Sequence, residues 1–133
     1  MAIFDLFRPK WKNSDPDVRI AAAQQLEDPS TLTQMAAGDR EWFVRHRVFD
    51  VIREKFAAQQ TYAYLARNSI DEEIRRKAVK LVSDETVLQD IAKNEKYRYV
   101  RDAAEHRLEE LHTDVWSEKS GAAEKSGAAE TVG

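Results

Sequence analysis

The chain has no cysteine and little glycine, and both shortages exclude classes of chemistry. Without cysteine there can be no disulfide, no thiolate metal site and no cysteine nucleophile. Only four glycines occur in 133 residues, and no serine sits in a glycine elbow. No glycine-rich loop is present to cradle a phosphate. The sequence therefore predicts a protein that is not an enzyme and that holds no cofactor.

Long apolar runs are also missing. No run approaches the roughly 18 residues that a membrane-spanning helix needs. The first seven residues carry an acid inside a short apolar stretch, have no basic residues ahead of it, and show no small-residue cleavage site. This pattern is not that of a signal peptide. We therefore expect no membrane span and a cytoplasmic location.

An excess of charge of one sign is the third absence. The chain has 21 basic and 24 acidic residues, for a net charge of -3. Interspersed charges are typical of a soluble, ion-paired surface and not of a basic nucleic-acid binder. The three histidines, His46, His106 and His112, sit in no ligand pattern, so we expect no metal site.

A repeated pattern of apolar residues is present. Three columns recur with starts 26, 30 and 26 residues apart, and residues four apart lie on one face of a helix. The columns are Val18, Val44, Ile74 and Val100; Ala22, Val48, Ala78 and Ala104; and Leu26, Ile52, Val82 and Leu108. The pattern predicts an all-α protein, a short right-handed solenoid of about four stacked helical hairpins.

Capping residues predict where the helices break. Asp15-Pro16 and Asp28-Pro29 are typical helix starts. Gly38, Asn68 and Asn94 occupy one column, and we expect them to end their helices in the left-handed conformation. The predicted breaks lie near residues 13, 27, 39, 69, 83 and 95, with a four-residue surplus around residues 56–60.

The chain divides into three predicted parts. Residues 1–13 are expected to cap the open end of the core with aromatic side chains, or alternatively to form a short membrane-surface or partner-docking helix. Residues 14–116 form the helical repeat domain. Residues 117–133 contain the six-residue sequence EKSGAA twice and no aromatic side chain, which predicts a disordered tail.

One arginine recurs directly after the first apolar column. These residues are Arg19, Arg45, Arg75 and Arg101. At the edge of the buried stripe, an arginine can lay its stem across the next repeat and pair with an acid. We interpret the four as a structural arginine ladder between repeats, with phosphate binding as the alternative.

The stretch DPDVRIAA at residues 15–22, followed by Leu26 and Asp28-Pro29, resembles a HEAT-type repeat of the short bacterial kind. Phycobilisome-lyase-like repeats and leucine-rich repeat variants are similar. The resemblance covers residues 14–111 and implies a scaffold of stacked helical hairpins. The chain lacks the glycines before the Asp-Pro linker and the cysteine cluster of some variants, which weakens pigment-lyase and iron–sulfur interpretations.

Basic residues on the central first helices, near an aromatic residue, are the candidate binding site. The residues are Trp42, Arg47, Arg76, Lys77 and Lys80. We expect Arg47 to lie beside Lys77 and His46 beside Arg76, forming a positive strip. An ordinary paired surface, with Trp42 in the core beside Pro29 or Leu65, is the alternative.

The repeat architecture is compatible with two functions. The first is a monomeric, non-catalytic scaffold that binds an acidic segment of another protein. The alternative is a nucleic-acid-binding protein related in architecture to alkylpurine DNA glycosylases, which also place HEAT-like helices around DNA. The net negative charge argues against nucleic acid as the partner.

Overall fold

The computed structural model describes residues 8–56 and 58–113, and within these ranges the chain forms helices and no strand. The predicted all-α class is therefore confirmed. A short 3₁₀ helix at Lys10–Lys12 precedes six helices: α1 (Pro16–Gln25), α2 (Pro29–Gly38), α3 (Trp42–Lys55), α4 (Gln59–Asn68), α5 (Glu72–Val79) and α6 (Glu85–Asn94). Residues 98–113 are also helical and are called α7 here.

Aspartates begin four of these helices. The side chains of Asp15, Asp28, Asp71 and Asp84 each accept a hydrogen bond from a backbone N–H two residues later. This bond satisfies one of the N–H groups that a helix start leaves without an internal partner. The helices consequently begin close to the predicted breaks near residues 13, 27, 69 and 83.

The helix ends differ from the sequence-based expectation. No described residue has a positive φ, so the prediction of left-handed caps at Gly38, Asn68 and Asn94 is wrong. These residues are the last helical residues, and the chain leaves each helix through an extended residue: Asp39, Ser69 or Glu95. The N–H of that residue bonds back to the carbonyl four residues earlier, so the helix end is satisfied without a left-handed turn.

The helices contact one another in a regular order. Along the odd-numbered helices, α1 contacts α3 and α3 contacts α5; along the even-numbered helices, α2 contacts α4 and α4 contacts α6. Helix α2 also contacts α3, and α4 contacts α5, so each of these even-numbered helices packs against the odd-numbered helix that follows it. This order places α3 beside α5.

The buried apolar side chains form one cluster between the two rows. Its fully buried members include the column residues Val44, Val48, Ile52, Ile74, Ala78, Val82, Val100 and Ala104. In α1 the same columns are only partly covered, because Val18, Ala22 and Leu26 line an apolar groove with Trp11 and Pro9. Trp11 packs against the core from this end.

Two sequence-based predictions fall on chain segments that the structure does not describe. Residues 1–7, the greater part of the predicted cap, lie outside the described residues, as does the predicted tail at 117–133. Among the residues that are described, no helix combines the length and the apolar character required to cross a bilayer.

Candidate functional site

Three arginines of the ladder pair with buried acids of the next interhelical linker. Arg19 donates to both carboxylate oxygens of Asp39, at 3.0 and 3.1 Å. Arg75 makes the same two-bond contact with Glu95, at 3.0 Å each. Such paired bonds are the strong geometry for arginine and carboxylate. Each pair fixes one helix of the odd row to the linker that begins the next unit.

The middle pair departs from this geometry because serine occupies the linker position of the acid. Ser69 occupies the same position of the repeat as Asp39 and Glu95, directly after the last residue of a helix. The acid lies two residues later, at Asp71. Arg45 accordingly donates through Nε alone to Asp71, at 3.0 Å.

All four ladder arginines also donate through Nη1 to the backbone carbonyl six residues earlier. The acceptors are Asn13, Asp39, Ser69 and Glu95, at 2.8, 2.6, 2.7 and 2.7 Å. Asp39 and Glu95 thus bind two successive arginines, one through the carboxylate and one through the carbonyl. Arg19, Arg45 and Arg75 are already paired with carboxylates, which weakens the phosphate-binding alternative. Arg101 bonds only to backbone carbonyls and keeps its charge uncompensated by an acid in the described chain.

Asp71 is the hydrogen-bond centre between α3 and α5. Its carboxylate accepts from Arg45, from His46 Nε2 at 3.0 Å, and from the N–H groups of Glu73 and Ile74 at 2.9 and 3.3 Å. Burial raises the pKa of this carboxyl, but the hydrogen bonds from Arg45 and Ile74 and the interaction with His46 outweigh burial and lower its pKa below the ordinary value.

The second ring nitrogen of His46 meets Lys77. The distance from Lys77 Nζ to His46 Nδ1 is 3.0 Å. A lysine ammonium can only donate, so Nδ1 accepts and Nε2 carries the proton that is donated to Asp71. The imidazole therefore joins α3 to α5, with Lys77 at Nδ1 and Asp71 at Nε2.

This contact corrects the expected register of the positive strip. The sequence predicted Arg47 beside Lys77 and His46 beside Arg76, whereas the structure places His46 beside Lys77. Consecutive residues point about 100° apart around a helix. Since His46 faces α5, Arg47 is turned away from that junction.

Trp42 is a surface residue. Its side chain is 64% exposed at the first turn of α3, the most exposed of the large apolar residues described. The indole contacts Phe43 and His46 edge to face, with ring centroids 5.9 and 6.0 Å apart. The alternative that places Trp42 in the core beside Pro29 or Leu65 is not what the structure shows.

The three remaining cations differ in how they are paired. Arg76 is half-buried and pairs with Glu73 on its own helix at 3.0 Å. Lys80 and Arg47 are exposed, and neither has an ion pair among residues 8–56 and 58–113.

Exposed apolar side chains extend beyond Trp42 along the same row. Tyr97 and Tyr99 are each 39% exposed near the start of α7, with ring centroids 6.0 Å apart. Burial raises the pKa of the Tyr99 phenol, and the charges of Glu72 and Glu73 raise it further. Ile70, 63% exposed in the linker before α5, was not singled out by the sequence reasoning. An isolated isoleucine among polar residues gives no periodic signal.

In the described part of the chain, no three histidine, aspartate or glutamate side chains come together in a way that could bind a metal ion. His106 lies 3.1 Å from Glu110, and His112 lies 3.4 Å from Glu85, both on exposed surfaces. These pairs are ordinary surface contacts.

Comparison of the chain with protein-family models, with curated proteins and with solved structures gave no match.

Proposed function

We propose that this chain is a non-catalytic scaffold that binds an acidic segment of another protein. The proposed architecture is a right-handed solenoid of HEAT-like hairpins. Its support is the order of helix contacts, with α1, α3 and α5 in one row and α2, α4 and α6 in the other. Stacked hairpins of this kind present an extended surface to partners. The protein acts as a monomer in the cytoplasm in this proposal.

The observation that carries the proposal is the exposed indole of Trp42. A tryptophan left 64% exposed keeps a large apolar surface in water, and tryptophan is enriched among the residues that dominate interface energies. Its contact with His46, which is held by Lys77 and Asp71, fixes the surface around it before a partner arrives. Preorganisation of this kind reduces the entropy cost of binding.

The charge beside Trp42 favours an acidic partner. Lys77 contacts a ring nitrogen of His46 and has no ion pair with an acid among the described residues, so its charge is uncompensated there. Lys80, the residue that directly follows α5, is exposed and has no acid paired to it in the described chain. Arg76 is already paired with Glu73, so a partner carboxylate would have to share it.

The experiment is affinity capture from the source cell with three baits: the wild-type chain, Trp42→Ala, and the double variant Arg76→Glu with Lys80→Glu. The proposal requires a protein with an acidic segment that the wild type retains and that both variants lose. Lys93→Glu, at an exposed lysine on α6, is the matched charge-reversal control and should retain that protein. Capture that is equal with all four baits contradicts the proposed site.

Nucleic acid is tested in the same series. A nucleic-acid binder is retained on heparin or duplex DNA and is released steeply by salt. Retention of the wild type on duplex DNA, and its loss in the double charge-reversal variant, would replace the scaffold proposal with the alternative.

A further inference from the structure

The groove between α2 and α4 lacks charge, unlike the rest of the molecule. About a third of all residues are charged, at 34%. Helix α2, PSTLTQMAAG, has no charged residue, and α4 has only Arg67. Buried positions explain part of this composition, but the exposed positions of the two helices, apart from Arg67, are also neutral. Depletion of charge at the centre of a surface patch is typical of protein interfaces.

Hydroxyl and amide side chains line this groove, which has a volume of about 330 Å³. They are Ser30, Thr33, Gln34, Gln60, Thr61 and Tyr64. Tyr64 is 50% exposed. The side-chain amides of Gln34 and Gln60 and the phenol of Tyr64 have no hydrogen-bond partner within the described residues. The groove therefore offers free donors and acceptors beside an aromatic ring.

The neutral character stops at the next helix of the same row. Asp90 of α6 occupies the column position that Gln34 has in α2 and Tyr64 has in α4. Its carboxylate lies 3.4 Å from Arg67, so the surface between α4 and α6 carries an ion pair. The row as a whole does not require neutral residues, and their concentration between α2 and α4 is a local property.

We propose that this groove binds an extended, uncharged peptide segment of a partner protein. Peptide groups both donate and accept hydrogen bonds, and the glutamine amides and the Tyr64 phenol match them. A charged side chain buried here would lose hydration without gaining a counter-charge. The ring of Tyr64 and the exposed Pro29 provide apolar surface for a segment in the polyproline II conformation, whose backbone groups are free.

This site is separate from the proposed acidic-segment site. Trp42 and Lys77 belong to the odd-numbered helices and Lys80 directly follows α5, whereas the neutral groove belongs to the even-numbered helices. The inference goes beyond the proposed function, and each can fail while the other stands.

The test is selection of a random decapeptide display library on the wild-type chain. The expected result is enrichment of peptides without charged residues, rich in proline, alanine or serine. Their affinity should fall at least about tenfold for Gln34→Asp and for Tyr64→Ala, since the first places an unpaired charge in the groove and the second removes the ring. Gln89→Asp makes the same change as Gln34→Asp on the exposed face of α6 and should leave the affinity unchanged.

Three outcomes overturn the inference. Enrichment of acidic peptides whose binding depends on Trp42 and Lys80 assigns peptide binding to the other surface only. Absence of any enriched peptide removes the site. If the chain binds neutral oligosaccharides on an array more tightly than it binds peptides, and Tyr64→Ala weakens that binding about tenfold or more, the groove is assigned to carbohydrate. Thermal unfolding of each variant shows that the substituted chain is folded.

Discussion

At the scale of single residues, a buried arginine carries out two structural tasks at once. Arg75 binds the carbonyl of Ser69, which precedes its own helix α5, and the carboxylate of Glu95, which lies between α6 and α7. Both side chains of the ion pair are largely buried, at 12% and 8% exposed. Removal of one partner of such a pair leaves the other without compensation, which is more costly than the loss of a surface pair.

Arg75→Ala is therefore expected to lower the free energy of unfolding by about 1–3 kcal/mol. Arg98→Ala is the control, because Arg98 is exposed and its ion pair with Asp102 is long, at 3.8 Å. That change should cost less than about 0.5 kcal/mol. Urea unfolding of both variants makes the comparison. An unchanged stability for Arg75→Ala, together with loss of partner binding, would make the arginine a functional residue instead.

Gly38 offers the opposite kind of change. It is helical with a negative φ, and a Cβ added there would meet no atom within 4 Å. Gly38→Ala should raise the free energy of unfolding by about 0.5–1 kcal/mol, because alanine has less freedom to lose on folding. Urea unfolding measures the change. A decrease in stability would indicate that residue 38 adopts the left-handed conformation that the sequence suggested.

The lowered pKa of Asp71 predicts that the stability of the fold depends on pH. Its pKa is lowered in the folded protein, so its charged form stabilises the fold at pH values above the ordinary carboxyl pKa of about 3.9. This contribution is lost as the pH falls through the folded pKa. Asp71→Asn should thus be less stable than the wild type at pH 7, and the difference should narrow below about pH 4.

Urea unfolding across this pH range tests that expectation. Asparagine can keep the helix-capping oxygen, so the comparison isolates the charge. Asp102→Asn, at an exposed position, should show no such narrowing difference. A gap between Asp71→Asn and the wild type that stays constant from pH 7 to pH 3 would contradict the role given to the carboxylate.

At the scale of helices, the sequence could predict the breaks but not the rotation of one helix against the next. Asp15-Pro16 and Asp28-Pro29 specify helix starts through local hydrogen bonds, which do not depend on distant residues. The contact between His46 and Lys77 depends on how α3 and α5 are turned in the packed state. Residues in one column of an alignment need not face each other, so the positive strip was placed one residue out of register.

Helix ends were the other failure at this scale. The match of Gly38, Asn68 and Asn94 indicated correctly where the helices stop but not how. In the structure Asn68 donates its side-chain amide to the carbonyl of Tyr64, at 3.0 Å. Asn94 donates to the carboxylate of Asp90, at 2.8 Å. Asparagine is thus used for its donor and not for its tolerance of positive φ.

The proposed docking surface predicts a separation of kinetic effects between α3 and α5. Arg76→Glu with Lys80→Glu should slow association of the acidic partner and reduce its salt dependence, because peripheral charges act mainly on encounter. Trp42→Ala should instead speed dissociation, by about tenfold or more. Surface plasmon resonance at two salt concentrations separates the rates. Equal effects of both variants on dissociation would show that the charges are part of the interface centre.

At the scale of the whole molecule, hydrophobic patterning accounts for most of what the sequence revealed. The three apolar columns predicted the buried residues of the central units, such as Val44, Ile74 and Val100. Pattern alone could not show that the columns of α1 would remain partly uncovered, since this depends on what packs against the end of the row. The sequence also left undecided whether Trp42 is buried or exposed, because an aromatic side chain next to a core column can point toward the core or toward solvent.

Truncation tests the predicted division of the chain. The tail was inferred from composition and lies outside the described residues. Deletion of residues 118–133 is expected to change the free energy of unfolding by less than about 0.5 kcal/mol. Thermal unfolding of the shortened chain measures the effect. A substantial drop in melting temperature would show that this segment contributes to the fold.

The linkers on the two edges of the helix rows are joined by different chemistry, and this has a mechanical consequence. On one edge the bonds are the buried ladder contacts of Arg19, Arg45 and Arg75. On the other, exposed Lys55 and Gln59 bond to the carbonyls of Leu26 and Leu81. Flexing that separates the ladder edge breaks buried arginine–carboxylate pairs, whereas flexing that separates the other edge mainly breaks exposed bonds to carbonyls that water can replace. We therefore expect the ladder edge to resist opening more than the other edge does.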